Sequence, residues 1–572
     1  MSPRLPLLLS LASLSCAGAP SPKPGSDPAP IVPAPLTIAP CTLPHLRHPA
    51  KCGTASVLED RALGRGRRIP LKVVVVPAAQ SPAAKDPVVF ITGGPGETAT
   101  EELGIVGEFE KVAATHDFVF VDQRGMGRDS PLRCKLIEGT DVGGLPSGEL
   151  SESKLRACLA SMDANPALYT TSIAADDLDE VLGALGYAQA NVMGVSYGTF
   201  AAQAFAHAHP GRVRSLILNG VVAPAAPFVL GFAPNSQAAL EDTFAECAAD
   251  AACHAMYPDP QKELDQAFAR LDAHPERLAL EGEDGKTIPV TLDRRSFAMA
   301  LRLPLYESAI RGRALKMIHD VAGGHFEAMG RALLRTAFSI GQGMSVGGYL
   351  SIACAESVAG VTMADAERAS AGTFLGTARA APILNACRFW PTGKVPAWLH
   401  EAVSGDMPAL LFGGTRDPAT PLAWMEKAKE KLPNAQAVVV AGAGHDVGGA
   451  CADQIVTAFL ADPLAKVDAG CVKPIVSHFD PPPVTLTAAE LDRCTGRFAL
   501  SPTVIVTVTR EGDALVARPT NQGKLGLEAA SATRFRIPDI GVDIDFEIGP
   551  DGPAKRLVLH AGGKDQTAER IP

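Results

Sequence analysis

The chain has 572 residues, a formal net charge of -10 and a hydrophobic fraction of 47%. This length suffices for roughly two to four domains, and the composition is that of a globular protein with enough apolar residues for a core. The mildly acidic balance argues against binding to nucleic acid or to an anionic membrane surface, because both require a basic protein surface.

The N-terminus has the pattern of an export signal. Arg4 supplies a positive charge, residues 5–14 form a short apolar run, and small residues follow. A run of about ten residues is too short to span a bilayer as a helix. We therefore predict a signal peptide over 1–16 and a Pro/Ala-rich linker over 17–40. Cys16 lies where a bacterial lipoprotein carries its lipid. The sequence leaves two alternatives open: a lipid anchor at Cys16, which would be the sole membrane contact, or cleavage and release.

The cysteines agree with export, since local disulfides are the default in exported proteins. The chain has 12 cysteines, and no Cys-x-x-Cys pair of the kind that binds metal is present. We predict no metal and no cofactor. The expected location is the cell envelope, the periplasm or the extracellular space. Apart from Cys16 and Cys494, the cysteines form neighbouring pairs: Cys41/Cys52, Cys134/Cys158, Cys247/Cys253, Cys354/Cys387 and Cys451/Cys471.

Apolar strand-like runs alternate with helical segments from about residue 72 to 220, and this alternation returns after residue 408. Between about 223 and 396, helix-like stretches dominate. Strands that alternate with helices predict a mostly parallel sheet with helices on both faces. The sequence therefore predicts one α/β domain, formed by 41–222 and 397–480, with an inserted helical cap over 223–396.

The C-terminal part changes pattern again. Short alternating strands follow one another after about residue 483, separated by turn signals such as Glu511-Gly512-Asp513. We predict a separate all-β domain over 481–572, with the form of a small barrel.

The pattern Gly-x-Ser-x-Gly occurs twice, around Ser196 and around Ser345. A nucleophile elbow needs a buried strand before the serine and a helix after it, because the sharp turn between them lifts Oγ clear of the sheet. Ser196 has both, whereas Ser345 lies in the helical insertion with no predicted strand before it. We predict Ser196 as the nucleophile and interpret Ser345 as a chance match in a loop.

A serine that transfers an acyl group also needs a general base and an acid that orients this base. In an α/β-hydrolase fold the chain order is Ser, Asp, His, and the last two each follow a late strand. Asp417 and His445 occupy these positions, so we predict a Ser196–His445–Asp417 triad. Asp446 is a poorer candidate for the acid, because a sequence neighbour of His445 is badly placed to orient its ring.

The loop Gly93-Gly94-Pro95-Gly96 follows a predicted buried strand. Backbone N–H groups in such a loop, together with the one that follows the nucleophile, face the carbonyl oxygen as it gains negative charge. We predict Gly94 and Tyr197 as the oxyanion donors. A plain turn is the alternative interpretation of the loop.

These motifs together resemble the proline iminopeptidase and tripeptidyl aminopeptidase family of serine peptidases, in its exported branch. The resemblance implies an α/β-hydrolase fold with a helical cap and an aminopeptidase activity. Two departures are Thr92, where many relatives have His, and Glu97, where relatives have Gly or Gln. The matching stretches are Gly93-Gly-Pro-Gly96, Asp122-Gln-Arg-Gly125, Gly194-Val-Ser-Tyr-Gly198, Asp417-Pro-Ala-Thr-Pro421, Gly442-Ala-Gly-His445 and Cys354-Ala-Glu356.

In this family, acidic residues of the cap can hold the free amino end of a peptide. By that analogy Glu356 is a candidate for substrate binding, with an ordinary solvated glutamate as the alternative. Glu97, beside the predicted oxyanion loop, is a second candidate. The tail from about Leu486 resembles the small lipocalin-like β-domain that follows some serine hydrolases, with Cys494 in place of an aromatic residue.

The sequence thus predicts an exported serine hydrolase that acts on a small peptide or ester through an acyl-enzyme. The leading activity is that of an aminopeptidase of prolyl or tripeptidyl type. A carboxylesterase is the first alternative, because the same triad cleaves esters and amides. The second is an envelope ligand-binding protein with vestigial catalysis.

Overall fold

The computed structural model describes most of the chain from residue 35 onwards. The predicted signal peptide, Cys16, most of the linker and Asp446 lie outside the described residues. No helix in the described part is long and apolar enough to cross a membrane. The described ranges are 35–43, 46–127, 129–137, 141–142, 144–282, 286–445, 447–479, 484–501, 504–520, 524–537, 542–549, 552–561 and 564–572.

The strands and helices follow the predicted succession of α/β core, helical insertion, α/β core and β domain. The strands are β1 (Leu36–Cys41), β2 (Ala50–Leu58), β3 (Arg68–Val76), β4 (Val88–Ile91), β5 (Phe118–Val121), β6 (Ala190–Val195), β7 (Val213–Asn219), β8 (Glu276–Glu281), β9 (Thr287–Leu292), β10 (Ala409–Gly414), β11 (Ala435–Val440), β12 (Gly496–Ala499), β13 (Ile505–Glu511), β14 (Ala514–Pro519), β15 (Leu525–Ala529), β16 (Arg534–Ile537), β17 (Val542–Ile548), β18 (Ala554–Ala561) and β19 (Lys564–Ile571). The α-helices are α1 (Ile105–Glu108), α2 (Glu110–Thr115), α3 (Glu152–Ser161), α4 (Thr171–Leu185), α5 (Tyr197–Ala208), α6 (Phe228–Ala249), α7 (Ala251–Met256), α8 (Pro260–Ala273), α9 (Arg294–Leu301), α10 (Arg313–Gly323), α11 (Glu327–Phe338), α12 (Val346–Ile352), α13 (Met363–Ser370), α14 (Ala380–Cys387), α15 (Leu422–Lys429), α16 (Gly449–Ala461) and α17 (Ala488–Cys494).

A nine-stranded sheet with the order β1-β2-β3-β5-β4-β6-β7-β10-β11 forms the central layer. Every neighbouring pair from β5 to β11 is parallel, whereas β1, β2 and β3 pair antiparallel. Strands β4 and β5 are fully buried, as expected of parallel strands that are covered on both faces. The predicted α/β-hydrolase fold is confirmed.

The two faces of the sheet bury separate apolar cores. Val73 and Val75 of β3 pack on one face, with α4, α5 and α15. Val74 and Val76 pack on the other face, with α1, α2 and α16. This alternation follows from the two-residue period of a strand, and it fixes the sheet between two helical layers.

The cap inserted after β7 is mainly helical, but it also contains the antiparallel hairpin of β8 and β9. The sequence analysis did not predict this hairpin. Its strands bury only alternate residues, Ile288, Val290 and Leu292 in β9, against the core of the cap. Short half-buried strands of this kind give a weak signal beside long helices.

The predicted all-β domain is confirmed as a closed barrel of β12 to β19. Each neighbouring pair that the structure describes is antiparallel. Phe498, Phe535 and Phe546 are buried inside, with ring centroids 5.4 to 5.8 Å apart in edge-to-face pairs. Side chains therefore fill the barrel.

The predicted linker over 17–40 is wrong in its last residues, because β1 begins at Leu36 and pairs with β2 along its whole length. Leu36 and Ile38 pack against the core of the sheet. An edge strand needs only such alternate apolar residues, and the nearby prolines obscured them.

All five cysteine pairs predicted from proximity are disulfides in the structure. Their Cα–Cα distances of 5.1 to 5.7 Å lie in the usual range. Cys494 is free and buried at the end of α17. Disulfides of this number indicate a protein that folds in an oxidising compartment, which supports export.

Candidate active site

Ser196 lies at the sharp turn between β6 and α5. With φ 56° and ψ -123°, it is the only non-glycine residue with positive φ in the described part of the chain. The flanking glycines permit this turn: a Cβ on Gly194 would lie 2.3 Å from the Gly198 oxygen, and one on Gly198 would lie 2.1 Å from the Ile91 oxygen. Backbone strain of this kind occurs at functional sites, and here it presents the serine side chain at the edge of the sheet.

Ser345, the serine of the second motif, has a different role. It is buried and caps the N-terminus of α12, where its Oγ accepts a hydrogen bond from the Gly348 N–H and donates one to the Gly125 oxygen, at 3.3 and 2.6 Å. Gly347 lies against the backbone, since a Cβ there would be 2.1 Å from the Leu132 oxygen. Ser345 thus caps a helix from the loop before it, and no strand precedes it as a nucleophile elbow would require.

Asp417 follows β10, His445 follows β11, and their side chains are hydrogen-bonded. His445 Nδ1 lies 2.7 Å from Asp417 Oδ2. The other carboxylate oxygen, Oδ1, accepts from the N–H groups of Ala419 and Thr420 at 2.7 and 2.8 Å, and the Thr420 hydroxyl donates to Oδ2 at 2.6 Å. Burial would raise the pKa of Asp417, but the charge of His445 and these hydrogen bonds lower it below its usual value. The carboxyl group is therefore held ionised against the imidazole.

The end of β7 brings Ser196 and His445 to the same place. The N–H of Ser196 donates to the Asn219 oxygen at 2.9 Å. At the next residue, Gly220, a Cβ would lie 2.8 Å from Cε1 of His445. Both Ser196 and His445 line one cavity of about 940 Å³, between the sheet and the cap. The volume is in the range that holds small-molecule ligands.

The glycine loop after β4 lies against the nucleophile. Gly93 is so close that a Cβ there would be 3.3 Å from Ser196 Cβ, and Gly94 lines the same cavity with φ +101°. Tyr197 is the first residue of α5, where backbone N–H groups have no partner within the helix. The structure thus places both predicted oxyanion donors next to Ser196.

Glu97 lines the same cavity as Ser196, the candidate nucleophile. Both residues are close to Gly93. A Cβ on this glycine would lie 3.2 Å from Oε2 of Glu97 and 3.3 Å from Cβ of Ser196. Burial and the neighbouring Glu102 raise the pKa of Glu97, although Thr92 and the charge of His445 oppose this change. Glu102 and Glu108 continue the acidic wall of the cavity. The side chain itself is open to the cavity, so a ligand can reach it.

Glu356, the candidate of the cap for substrate binding, is buried and not solvated, and it lies outside this cavity. Its carboxyl group accepts hydrogen bonds from the N–H and the hydroxyl of Thr171, at 2.7 and 2.6 Å. Thr171 begins α4, and the N-terminus of a helix attracts a carboxylate. The Thr171 hydroxyl also contacts the Tyr197 hydroxyl at 2.7 Å, so that Glu356 supports the turn behind Ser196.

Glu356 should make stability depend on pH. Burial raises its pKa from 4.5 to about 7, so the folded protein holds this proton more tightly than the unfolded chain does. Its contribution is therefore complete below pH 4.5 and is lost as the pH rises to about 7, a change of about 3 kcal/mol. In Glu356→Gln the amide oxygen can accept from the Thr171 N–H, and the NH₂ group can donate to the Thr171 hydroxyl oxygen. We expect this variant to unfold with the same free energy as wild type at pH 4.5 and to be more stable at pH 8.

Urea unfolding of the two proteins at several pH values measures this difference. The exposed Glu401→Gln variant serves as the control and should follow wild type throughout. A constant difference between wild type and Glu356→Gln across this pH range would contradict the prediction.

One motif of the family resemblance supports the fold outside the site. The buried Arg124 pairs with Asp177 at 2.6 Å and donates to the backbone oxygens of Leu58, Glu59 and Leu168. It thereby joins α4 to β2. This ion pair gives Arg124 a structural role.

Two arginines of the cap, Arg302 after α9 and Arg379 before α14, also line the cavity. The sequence analysis missed both. An arginine at the end of a helix is usually a solvated side chain, and only the packing of the cap brings these two to the cavity.

Comparison with known proteins agrees with this architecture. Residues 86–285 match the α/β hydrolase fold family, and residues 373–471 match the TAP-like protein family. Serine protease Hip1 of Mycobacterium tuberculosis is 27% identical over 472 residues, which cover 74% of this chain and 88% of that protein. Tripeptidyl aminopeptidase of Streptomyces lividans is 28% identical, over 32% of this chain and 37% of that protein. Proline iminopeptidase of Neisseria gonorrhoeae is 30% identical, over 24% and 32%.

The matched segments contain the elements that carry the site. The first includes the glycine loop and the elbow at Ser196, and the second includes Asp417 and His445. The chain is therefore a serine hydrolase with the α/β-hydrolase fold, and it is similar to the TAP-like proteins over residues 373–471.

Proposed function

We propose that this enzyme is an exported aminopeptidase that uses Ser196, His445 and Asp417 as its catalytic triad. Ser196 Oγ attacks the carbonyl carbon of the scissile bond and transfers its proton to Nε2 of His445. The Gly94 and Tyr197 N–H groups stabilise the oxyanion, and the position of Tyr197 at the start of α5 adds the field of the helix dipole.

Collapse of this intermediate breaks the peptide bond. His445 returns its proton to the leaving amine, and the acyl group remains on Ser196. Water then attacks the acyl-enzyme, with His445 again as the base, and releases the acid and the free serine. Asp417 keeps the Nδ1 proton on the side away from Ser196 and stabilises the imidazolium that forms twice in each cycle.

The observation that carries the choice of an aminopeptidase is the carboxyl group of Glu97 beside Ser196. The α-amine of an N-terminal residue lies about 2.5 Å from its own carbonyl carbon, whereas the amine of a tripeptidyl group lies roughly 7 Å farther away. A carboxylate next to the nucleophile therefore favours the removal of one residue at a time. Its negative charge would oppose the oxyanion, and an ammonium group bound there offsets this repulsion.

A panel of substrates tests this proposal. We expect the enzyme to cleave anilides of single amino acids, including proline, faster than tripeptidyl anilides, and to cleave N-acetylated anilides poorly. Glu97→Gln should raise KM for the free-amine anilides about 10-fold or more, with little change for uncharged short acyl esters. Since Glu97 must be ionised to bind the amine, KM in wild type should rise as the pH falls below the raised pKa of Glu97, and this rise should be absent in Glu97→Gln.

Glu110→Gln is the matched control, because Glu110 is exposed and is not among the cavity-lining residues. Cleavage of the esters with every peptide untouched would overturn the aminopeptidase proposal in favour of a carboxylesterase. Faster cleavage of tripeptidyl anilides would overturn the assignment of Glu97.

A further inference from the structure

Arg302 and Arg379 form a pair on the wall of the cavity. Both guanidinium groups lie over the ring of Phe232, with centroid distances of 5.9 and 5.1 Å. Arg302 also stacks on Tyr306 at 5.0 Å, and Arg379 on Tyr349 at 5.6 Å. Both positive charges thus pack on Phe232, and three aromatic rings in all hold them in place.

Neither arginine has an acidic partner in the described part of the chain. Arg302 is only 9% exposed, and the Nε atoms of both arginines are buried without a hydrogen-bond acceptor. Burial and the positive charge of Arg379 lower the pKa of Arg302, while Tyr306 and Tyr349 act in the opposite direction. A buried guanidinium without an anion costs free energy, so this pair is costly for the protein when no ligand is bound.

Two of the aromatic residues that contact the arginines, Tyr306 and Tyr349, also pack against the catalytic centre. Tyr306, which accepts a hydrogen bond from Arg302, packs edge-to-face on His445 at 5.5 Å. Tyr349 lies against the glycine loop, where a Cβ on Gly96 would be 3.3 Å from its Cβ. The arginines and Ser196 therefore line one cavity, so that a single ligand can contact both.

We propose that Arg302 and Arg379 form a subsite for a carboxylate of the substrate. The planar guanidinium fork binds a carboxylate through two parallel hydrogen bonds. Together with Glu97, the pair gives the cavity an acidic and a basic part. This inference rests on the proposed function and extends it to a substrate class: short peptides that carry both a free amine and a carboxylate, either the C-terminus or an acidic side chain.

Binding to the Ser196→Ala variant tests the subsite without turnover. Calorimetry would compare trialanine, trialanine amide and the amide of Ala-Glu-Ala. We expect one of the two ligands with a carboxylate, trialanine or the amide of Ala-Glu-Ala, to bind 10- to 100-fold more tightly than trialanine amide. The first result identifies the C-terminal carboxylate as the ligand, and the second identifies an acidic side chain.

Adding Arg302→Met and Arg379→Met to this variant should reduce the preference to about 1. Because the change removes two unpartnered charges, the thermal midpoint should not fall, whereas a purely structural pair would lose stability on removal. Arg379→Gln, at a half-buried position, tests the same loss of preference should the double variant not fold. Arg277→Gln, exposed on β8, is the control and should keep the preference.

The subsite is overturned if neither carboxylate improves binding, or if the arginine variants keep the full preference. The two proposals fail separately. A carboxylate preference in a protein that cleaves no peptide would support the subsite and refute the aminopeptidase proposal. Cleavage of peptides without this preference would refute the subsite and support the aminopeptidase proposal.

Discussion

Ser196→Ala should abolish hydrolysis, with kcat lower by about 10⁶ for any substrate that wild type cleaves. The effect is this large because the acyl-enzyme can no longer form. His445 and the oxyanion donors then have no serine nucleophile to activate. Labelling by a fluorophosphonate, which reacts with activated serines, should disappear with it. The fold should persist, because alanine adds no atoms to a turn that the flanking glycines already accommodate.

The second Gly-x-Ser-x-Gly motif supplies a matched control. Ser345→Ala should keep full labelling and activity, although the lost helix cap should cost about 1 kcal/mol of stability. Ser196→Gly should be inactive yet more stable than wild type by about 1 kcal/mol, because glycine adopts φ 56° without strain. Labelling that survives in Ser196→Ala would show that another residue is the nucleophile. A correctly folded wild type without any labelling would favour the ligand-binding alternative.

The parts of the site that could be predicted are those whose pattern is local in the sequence. A buried strand, a serine between glycines and a helix are contiguous around Ser196, and the geometry of the turn follows from them alone. Asp417 and His445 were accessible through their positions after two late strands. The pairs of cysteines could be predicted for the same reason, because each lies within 33 residues of its partner.

The features that could not be predicted depend on contacts between distant segments. Glu356 meets Thr171 across 185 residues of sequence, and nothing near Glu356 indicates that it faces a helix N-terminus. The sequence therefore does not predict that Glu356 is buried rather than solvated. Arg302 and Arg379 lie in separate parts of the cap and come to the same wall of the cavity only because both pack on Phe232. Helical periodicity predicts which face of a helix is apolar, but it does not predict which charged side chains line a cavity.

Asp417→Asn should lower kcat about 10⁴-fold while the protein remains folded. The reason lies in the hydrogen bonds on the two carboxylate oxygens. Oδ1 accepts from the N–H groups of Ala419 and Thr420, so an asparagine must keep its carbonyl oxygen there. Its NH₂ group then faces Nδ1 of His445, where the wild-type carboxylate accepts a hydrogen bond at 2.7 Å.

An NH₂ group in that position selects the wrong tautomer of His445. It donates to Nδ1, so the imidazole proton moves to Nε2, the atom that must accept the proton of Ser196. The variant should therefore keep KM for its substrates and react with the fluorophosphonate far more slowly than wild type. Proton NMR of the imidazole N–H should show the change of tautomer directly. Asp468→Asn, the same change at an exposed position, is the control. If Asp417→Asn retained more than about a tenth of kcat, Asp417 would not be the residue that orients the base, and the proposed triad would need another acid.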